Sequence, residues 1–502
     1  MFVTAGFSSK RSRHALGAMA LASVLFLALF SGCPSFIEGK VPNETGFEGA
    51  VTVVGEDTDG GYGVVTVKVP YVGIRGDAKE GLARMVVSRK SMTSGKPIPA
   101  LCHVHYEKKV SGAKHWAKRG WAVFTAVYTD EKGGYPIDAA VANGYNEARA
   151  IIQWARRLPF IDRTRLHIDG GSQGGYMALV MSADNFPVTA ATADCPVVNW
   201  PYNLQYFEAN RAASKFPSKM EDSPLPILCS VTGLADACYK SYPRDLSADT
   251  WYFLSPISCV DRIANPVLVT CATGDMLVPM EQMTRQPLPA FDPQRFPEGY
   301  QRAFDTLTPC EKARKTFEEC IPENQRETIW VPLQENSFEL TLDMFKNDKE
   351  KPKKRPEEVD KPWSKDRQWS LLYQNEGPPT PCASHVSHEW AMAPHGFANY
   401  YQQAAPAPSI LNAAKLEWLM RRYSRAMMDV PLLENGRPAN RLNSVRVEQQ
   451  DVVQGLLDYA GLGAEHETRL LALYAQCPLK PLGESITAPH LRKLVADIQT
   501  KP

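Results

Sequence analysis

From Val51 to Val87 short apolar runs alternate with Gly and Asp, as in Gly63-Val64-Val65-Thr66-Val67-Lys68-Val69. Such two-residue alternation broken by turn formers predicts strands joined in hairpins. Near Ile98 the pattern changes. Leu101-Cys102-His103-Val104-His105 reads as a short strand, Ala113 to Arg119 as a helix stopping at Gly120, and Trp121 to Val127 as a near-continuous apolar strand. A long helix follows over Ala139 to Leu158, with Ala148, Ile151, Ile152, Ala155 and Leu158 on one stripe and Pro159 helping to end it. Leu166 to Asp169 is again strand-like, and a Gly-rich turn leads at once into a helix over Gln173 to Ala183.

Strands alternating with helices at this spacing predict a mostly parallel sheet covered on both faces, the α/β class. Asn199 to Ser258 is irregular, rich in aromatics and prolines, and reads as a cap over the sheet's carboxyl edge. Pro266 to Cys271 restores a core strand. Met280 to about Ser384 reads as a second, longer insertion, with dense mixed charge over Lys346 to Lys361. Ser409 to Tyr423 is expected as the closing helix, with Ser409 as its N-cap. Beyond Arg425 come amphipathic stretches such as Glu465 to Tyr474 and Pro489 to Ile498, expected as a helical C-terminal extension.

Composition adds bounds. The 502 residues are 44% hydrophobic and 22% charged, enough to bury a large core. Lys+Arg number 56 against 55 Asp+Glu, a net charge of +1, and no basic patch interleaved with aromatics is present, which argues against nucleic acid as a partner. At the N-terminus Lys10, Arg11 and Arg13 precede an apolar run from Ala15 to Phe30, which ends in Ser31-Gly32-Cys33. Basic, apolar and small residues in that order predict an export signal over residues 1–33. The ending resembles the box of bacterial lipoproteins, with Phe30 where those usually have Leu. That resemblance implies lipidation of Cys33 and a membrane anchor in the cell envelope; a plain signal peptide is the alternative. An export compartment permits disulfides, so Cys229, Cys238, Cys259, Cys310, Cys320 and Cys382 are candidate staples, while Cys102 and Cys271 are expected as buried thiols.

The chemistry centres on Gly170-Gly171-Ser172-Gln173-Gly174-Gly175, a G-x-S-x-G motif set between a strand and a helix. A strand turning sharply into a helix strains the serine backbone and leaves no room for side chains two residues either side. The turn exposes the Ser172 Oγ above a helix N-terminus and aims the Gln173 backbone N–H at a developing oxyanion. A serine hydroxyl needs a base, itself oriented by a carboxylate. Asp275, just past the strand over Val267 to Cys271, is the candidate acid. His395, in Pro394-His395-Gly396-Phe397 ahead of the closing helix, is the candidate base, with His385 and His388 as rivals nearby.

Ile168-Asp169-Gly170-Gly171-Ser172-Gln173-Gly174-Gly175-Tyr176, Gly274-Asp275 with Val278-Pro279, and His395-Gly396-Phe397 together resemble the catalytic domain of the prolyl-oligopeptidase-like (S9-type) α/β hydrolases. Ala150 to Trp154 leading to Pro159-Phe160-Ile161-Asp162 is similar as well. The resemblance covers roughly Pro97 to Asn199, Pro266 to Pro279 and Pro394 to Tyr423. It implies an α/β-hydrolase fold with Ser172, Asp275 and His395 as triad; the hydrolase domain with its insertions is expected over about 45–425, with an ester or peptide substrate and no cofactor. Two departures limit it. Only about sixty residues separate Cys33 from the first core strand, too few for the β-propeller of the size-selective peptidases. The usual oxyanion segment is replaced by His103-Val104-His105-Tyr106-Glu107, so the second donor is expected from the backbone near Tyr106 or from its hydroxyl. Two other readings stay open: a catalytically silent hydrolase fold that binds a ligand, and a metal site built on His103 and His105, which share a face if both lie on a strand.

Overall fold

The structure is a computed structural model that describes residues 40–42, 48–72, 78–127, 143–183, 188–212, 235, 238–239, 242–260, 263, 265–273, 275, 277–288, 303–331, 363–364, 366–374, 397–400 and 402. Strands β1 (Lys40–Pro42) and β2 (Glu48–Ala50) form a small antiparallel ribbon. Strands β3 (Thr52–Asp59), β4 (Tyr62–Val72) and β5 (Ala78–Ser88) make the expected antiparallel meander, with Gly60 and Gly61 at positive φ in the first turn. There follow β6 (Ile98–His103), α1 (Val110–Ala117), β7 (Ala122–Val127), α2 (Asn143–Arg157), β8 (Ile161–Gly171), α3 (Gln173–Ser182) and β9 (Val188–Asp194). Then come α4 (Trp200–Ala212), α5 (Asp249–Leu254), β10 (Val267–Ala272), β11 (Arg326–Val331) and β12 (Trp369–Gln374).

Ten strands form one sheet in the order β11-β12-β10-β9-β8-β6-β7-β5-β4-β3. The seven from β11 to β7 run parallel, and β5, β4 and β3 are antiparallel. This mostly parallel sheet, antiparallel at its first strands and covered by helices on both faces, is the expected α/β-hydrolase arrangement. The faces follow the strand period of two. Ala100, Cys102, Ala122, Phe124 and Ala126 face α2 and α3, while Leu101 and Val123 face Ala113, Trp116 and Ala117 of α1. The α2 stripe of Ala148, Ile151, Ile152 and Ala155 is buried as expected, and the chain turns after α1 at Gly120, whose φ of 97° favours glycine.

Two sequence expectations need correction. The span 280–384, read as an insertion, supplies β11 and β12, and β12 pairs along its full length with β10. Trp369-Ser-Leu-Leu-Tyr-Gln is too short a run to stand out beside the charged stretch before it, yet every residue of it is buried. The sequence reading also passed over β9. Its Val-Thr-Ala-Ala-Thr-Ala-Asp pattern is only weakly apolar because small residues suffice where helices cover both faces. The span 199–258, expected as a cap, follows the carboxyl end of β9, and its described part is firmly packed: Trp200, Tyr202, Leu204, Tyr206 and Trp251 are all buried in the main core. Among the candidate staples, Cys238, Cys310 and Cys320 are free thiols, and the Cys259 thiol donates to the Pro256 carbonyl at 3.4 Å. Apolar surroundings raise the Cys238 and Cys320 thiols to about 12, so they behave as small hydrophobes. Cys102 and Cys271 are buried thiols, as anticipated. Residues 1–39, Cys229, Cys382 and the stretch 403–502, with the expected export signal, closing helix and extension, lie outside the described residues.

Candidate active site

The chain leaves β6 toward β7 on one side, and leaves β8 toward β9 on the other. Between β6 and β8 the winding reverses. The carboxyl ends of two such strands diverge and leave a crevice, the usual place for a ligand in an open α/β sheet. Ser172 follows β8 and Tyr106 follows β6, so both stand at this crevice.

Ser172 has φ 55° and ψ −120°, a conformation that a residue with a Cβ rarely adopts. It is held there from both sides. Its N–H donates to the Asp194 carbonyl at 2.7 Å, and its own carbonyl accepts from Tyr176 N–H at 3.0 Å as α3 begins. The glycines are explained by close approach rather than by flexibility. A Cβ on Gly170 would strike the backbone of Gly174, one on Gly174 would lie 2.5 Å from the Val104 carbonyl oxygen, and one on Gly175 would lie 2.9 Å from the Asp194 carbonyl oxygen. Strand β8, helix α3 and the loop after β6 therefore meet with only hydrogens between them. Gln173 is the first residue of α3 and is buried, at the helix end where amide N–H groups lack intrahelical partners.

Residues 139–219, the stretch that carries this elbow, match the model of the prolyl oligopeptidase family. Over that stretch the chain is prolyl-oligopeptidase-like. None of the curated proteins matches it in sequence. Among solved structures, the chain is similar to an acylaminoacyl peptidase of Pyrococcus horikoshii at 13% identity, over 46% of this chain and 39% of that one, with a TM-score of 0.30. It is similar to acetyl xylan esterase 1 of a Thermoanaerobacterium species at 14% identity, over 46% of this chain and 74% of that one, again with a TM-score of 0.30. A further acylaminoacyl peptidase, solved with Z-Gly-Gly-Phe-chloromethyl ketone, is matched at 14% identity and a TM-score of 0.29, over 46% of this chain and 41% of its own length. The chain thus spans about two fifths of the acylaminoacyl peptidases it matches.

At the crevice the Tyr106 hydroxyl lies 3.5 Å from Ser172 Oγ. The Tyr106 ring is exposed to the crevice, and desolvation by the protein beside it raises its phenol above the ordinary value, so the group remains an O–H donor. His105 before it has φ 76° and is buried, with its ring edge-on to Tyr106 at 4.4 Å. Burial pushes His105 down to about 3, so its ring is neutral. The expected common face of His103 and His105 does not form, because β6 ends at His103 and the positive φ turns His105 away. His103 instead pairs with Asp169, at 2.7 Å from Nδ1 to Oδ2. No group of three His, Cys, Asp or Glu side chains fit to hold a metal occurs among the described residues.

Asp275 sits just past β10, two strands from β8 and at the same edge of the sheet. It is 1% exposed, and its Oδ1 accepts from the amides of Leu277 at 2.8 Å and Val278 at 2.9 Å. Asp194, which the sequence reading did not single out, ends β9 between them and accepts the Thr270 hydroxyl at 2.5 Å. His395, like His385 and His388, lies outside the described residues, but Phe397 two positions on is described. Its ring is buried against Ala190, Leu268 and Leu372, and the adjoining helical turn is tied down where Trp121 Nε1 donates to Asn399 Oδ1 at 3.0 Å.

Proposed function

We propose that the chain is a serine hydrolase that cleaves a carboxylic ester or a peptide bond through an acyl-enzyme on Ser172, with His395 as base and Asp275 as the acid that orients it. One observation carries the reading. Ser172 is held at φ 55° at the head of a helix, with the Tyr106 hydroxyl 3.5 Å from its Oγ.

In this mechanism Ser172 Oγ attacks the substrate carbonyl carbon while its proton passes to His395. The carbonyl oxygen becomes an oxyanion between the Gln173 N–H and the Tyr106 hydroxyl, two donors in place before the charge appears. Collapse of the tetrahedral species breaks the bond to the leaving alcohol or amine, which takes the proton from His395. Water then attacks the acyl-enzyme, gives a proton to His395, and the acid leaves as Ser172 is reprotonated. Asp275 suits its role because two amides fix its carboxylate plane, as holding an imidazole in one orientation requires.

The reading extends to place and substrate. The export pattern over residues 1–33 and the lipoprotein-like Ser31-Gly32-Cys33 support an envelope enzyme anchored through Cys33, and mass spectrometry of the membrane fraction tests that modification. The cap over 199–258, rooted at the end of β9, supports a restricted entry that selects acyl or leaving group. The deciding experiment is fluorophosphonate labelling of the full chain, followed by a panel of ester and short-peptide substrates with Ser172→Ala as control. Labelling at Ser172 with turnover lost in the variant is expected. A chain that turns over neither class and takes no label is a binding protein of hydrolase fold.

A further inference from the structure

Tyr106 stands on a six-residue loop, 104–109, and several of the ties holding that loop lead back to the strand that carries the proposed nucleophile. Asp169 lies on β8 three positions before Ser172, and the sheet register sets it between His103 of β6 and Thr192 of β9. Its Oδ1 accepts the Thr192 hydroxyl at 2.8 Å. Its Oδ2 meets the chain on both sides of Tyr106: His103 Nδ1 at 2.7 Å, at the end of β6, and Lys108 Nζ at 3.6 Å, within the loop. The Asp169 main chain adds a third tie, its carbonyl accepting from Val104 N–H at 2.8 Å.

The charges fit a fixed clasp. Burial alone would raise the Asp169 carboxyl, but the Lys108 charge and the His103 hydrogen bond overcome it and hold it well below the usual carboxylate range. Burial, then Lys108, lowers His103, so the ring is neutral; since an ionised carboxylate only accepts, its Nδ1 carries the proton. Lys108 supplies a counter-charge. Lys108 N–H also donates to Thr125 Oγ1 at 2.9 Å, and Thr125 Oγ1 donates to the Tyr106 carbonyl at 3.3 Å.

We propose that Asp169 is a positioning residue for the reaction, clasping the chain on both sides of Tyr106 through His103 and Lys108 so that the Tyr106 hydroxyl is held beside Ser172. Nucleophile and oxyanion donor are thereby referenced to one strand. The proposal rests on the reading of Ser172 as nucleophile and Tyr106 as donor.

The test is a double-mutant cycle in the full chain, with p-nitrophenyl acetate as probe. Asp169→Asn keeps the shape and removes the charge. Acting through Tyr106, it lowers kcat by about 10²-fold with KM little changed, a loss typical of a misplaced group. In a Tyr106→Phe background the same change has little further effect, since coupled residues are not additive. An equal loss in both backgrounds, or no loss in either, overturns the proposal. Should Asp169→Asn fail to fold, Lys108→Met at the partly exposed end of the clasp is read in the same cycle by the same criteria. The underlying reading is checked separately. Absence of fluorophosphonate label on wild-type Ser172, with turnover surviving Ser172→Ala, removes both; a labelled wild type with an additive cycle removes only the clasp.

Discussion

The Tyr106 hydroxyl stands 3.5 Å from Ser172 Oγ although the residues lie 66 positions apart, one after β6 and the other after β8. The two strands are neighbours in the sheet, and their diverging carboxyl ends bring a phenol and a serine to one crevice. The hydroxyl can donate to an oxygen bound at Ser172, while the ring, edge-on to His105, keeps its direction.

Tyr106→Phe is therefore expected to remove one oxyanion donor and little else. kcat should fall by about 10²-fold, as for other single donors, with KM nearly unchanged. Steady-state kinetics on an activated ester check this. A fall in substrate affinity without loss of kcat would place the hydroxyl on the ground state instead.

Gly174→Ala should be severely destabilising. The added methyl would sit 2.5 Å from the Val104 carbonyl oxygen, which is backbone and cannot rotate aside. A loss above about 2 kcal/mol in urea-denaturation midpoints is expected. Gly112→Ala in α1 serves as control. Its Cβ would meet only the Lys108 side chain at 3.4 Å, and the better helix former should leave stability equal or higher.

Glu147 supplies a pH signature. It is buried on α2, close enough to Gly81 that a Cβ there would strike its carboxylate, and burial raises its carboxyl from the ordinary 4.5 to about 7. Between those values the unfolded chain ionises this group while the folded chain keeps its proton, so stability from this group falls as pH rises from 4.5 to about 7. Glu147→Gln should raise the Tm at pH 8 and flatten that part of the profile. An unchanged slope by thermal melts at stepped pH would remove the assignment.

Phe397→Ala should cost about 3 to 5 kcal/mol, since its ring is buried against Ala190, Leu268 and Leu372. It should also lower kcat below what the lost stability explains at 10 °C, because Phe397 anchors the chain two residues beyond His395. Activity measured well below the melting transition separates the two effects.

Much of this was legible in the residues themselves. The alternation of Gly63 to Val69 and the stripe of Ala148, Ile151, Ile152 and Ala155 announced their elements, since periodicity states which face is buried. Gly170-Gly171-Ser172-Gln173-Gly174-Gly175 announced the elbow, because only glycine tolerates such approach of strand, helix and loop. These are local matters, settled by the steric demands of a few adjacent residues.

Other features depended on which strands lie side by side. β9 and β12 are sheet members because neighbours cover them, not because their short runs are distinctive. His103, Asp169 and Thr192 look unrelated along the chain and become one hydrogen-bonded row only when β6, β8 and β9 take their register. The turn of His105 out of line, which ended the idea of a shared histidine face, came from a backbone angle that no side-chain pattern encodes. The elbow was written in Ser172 and its glycines. The placement of Tyr106 against it was decided by long-range strand pairing, whose energy lies in contacts between residues far apart in sequence.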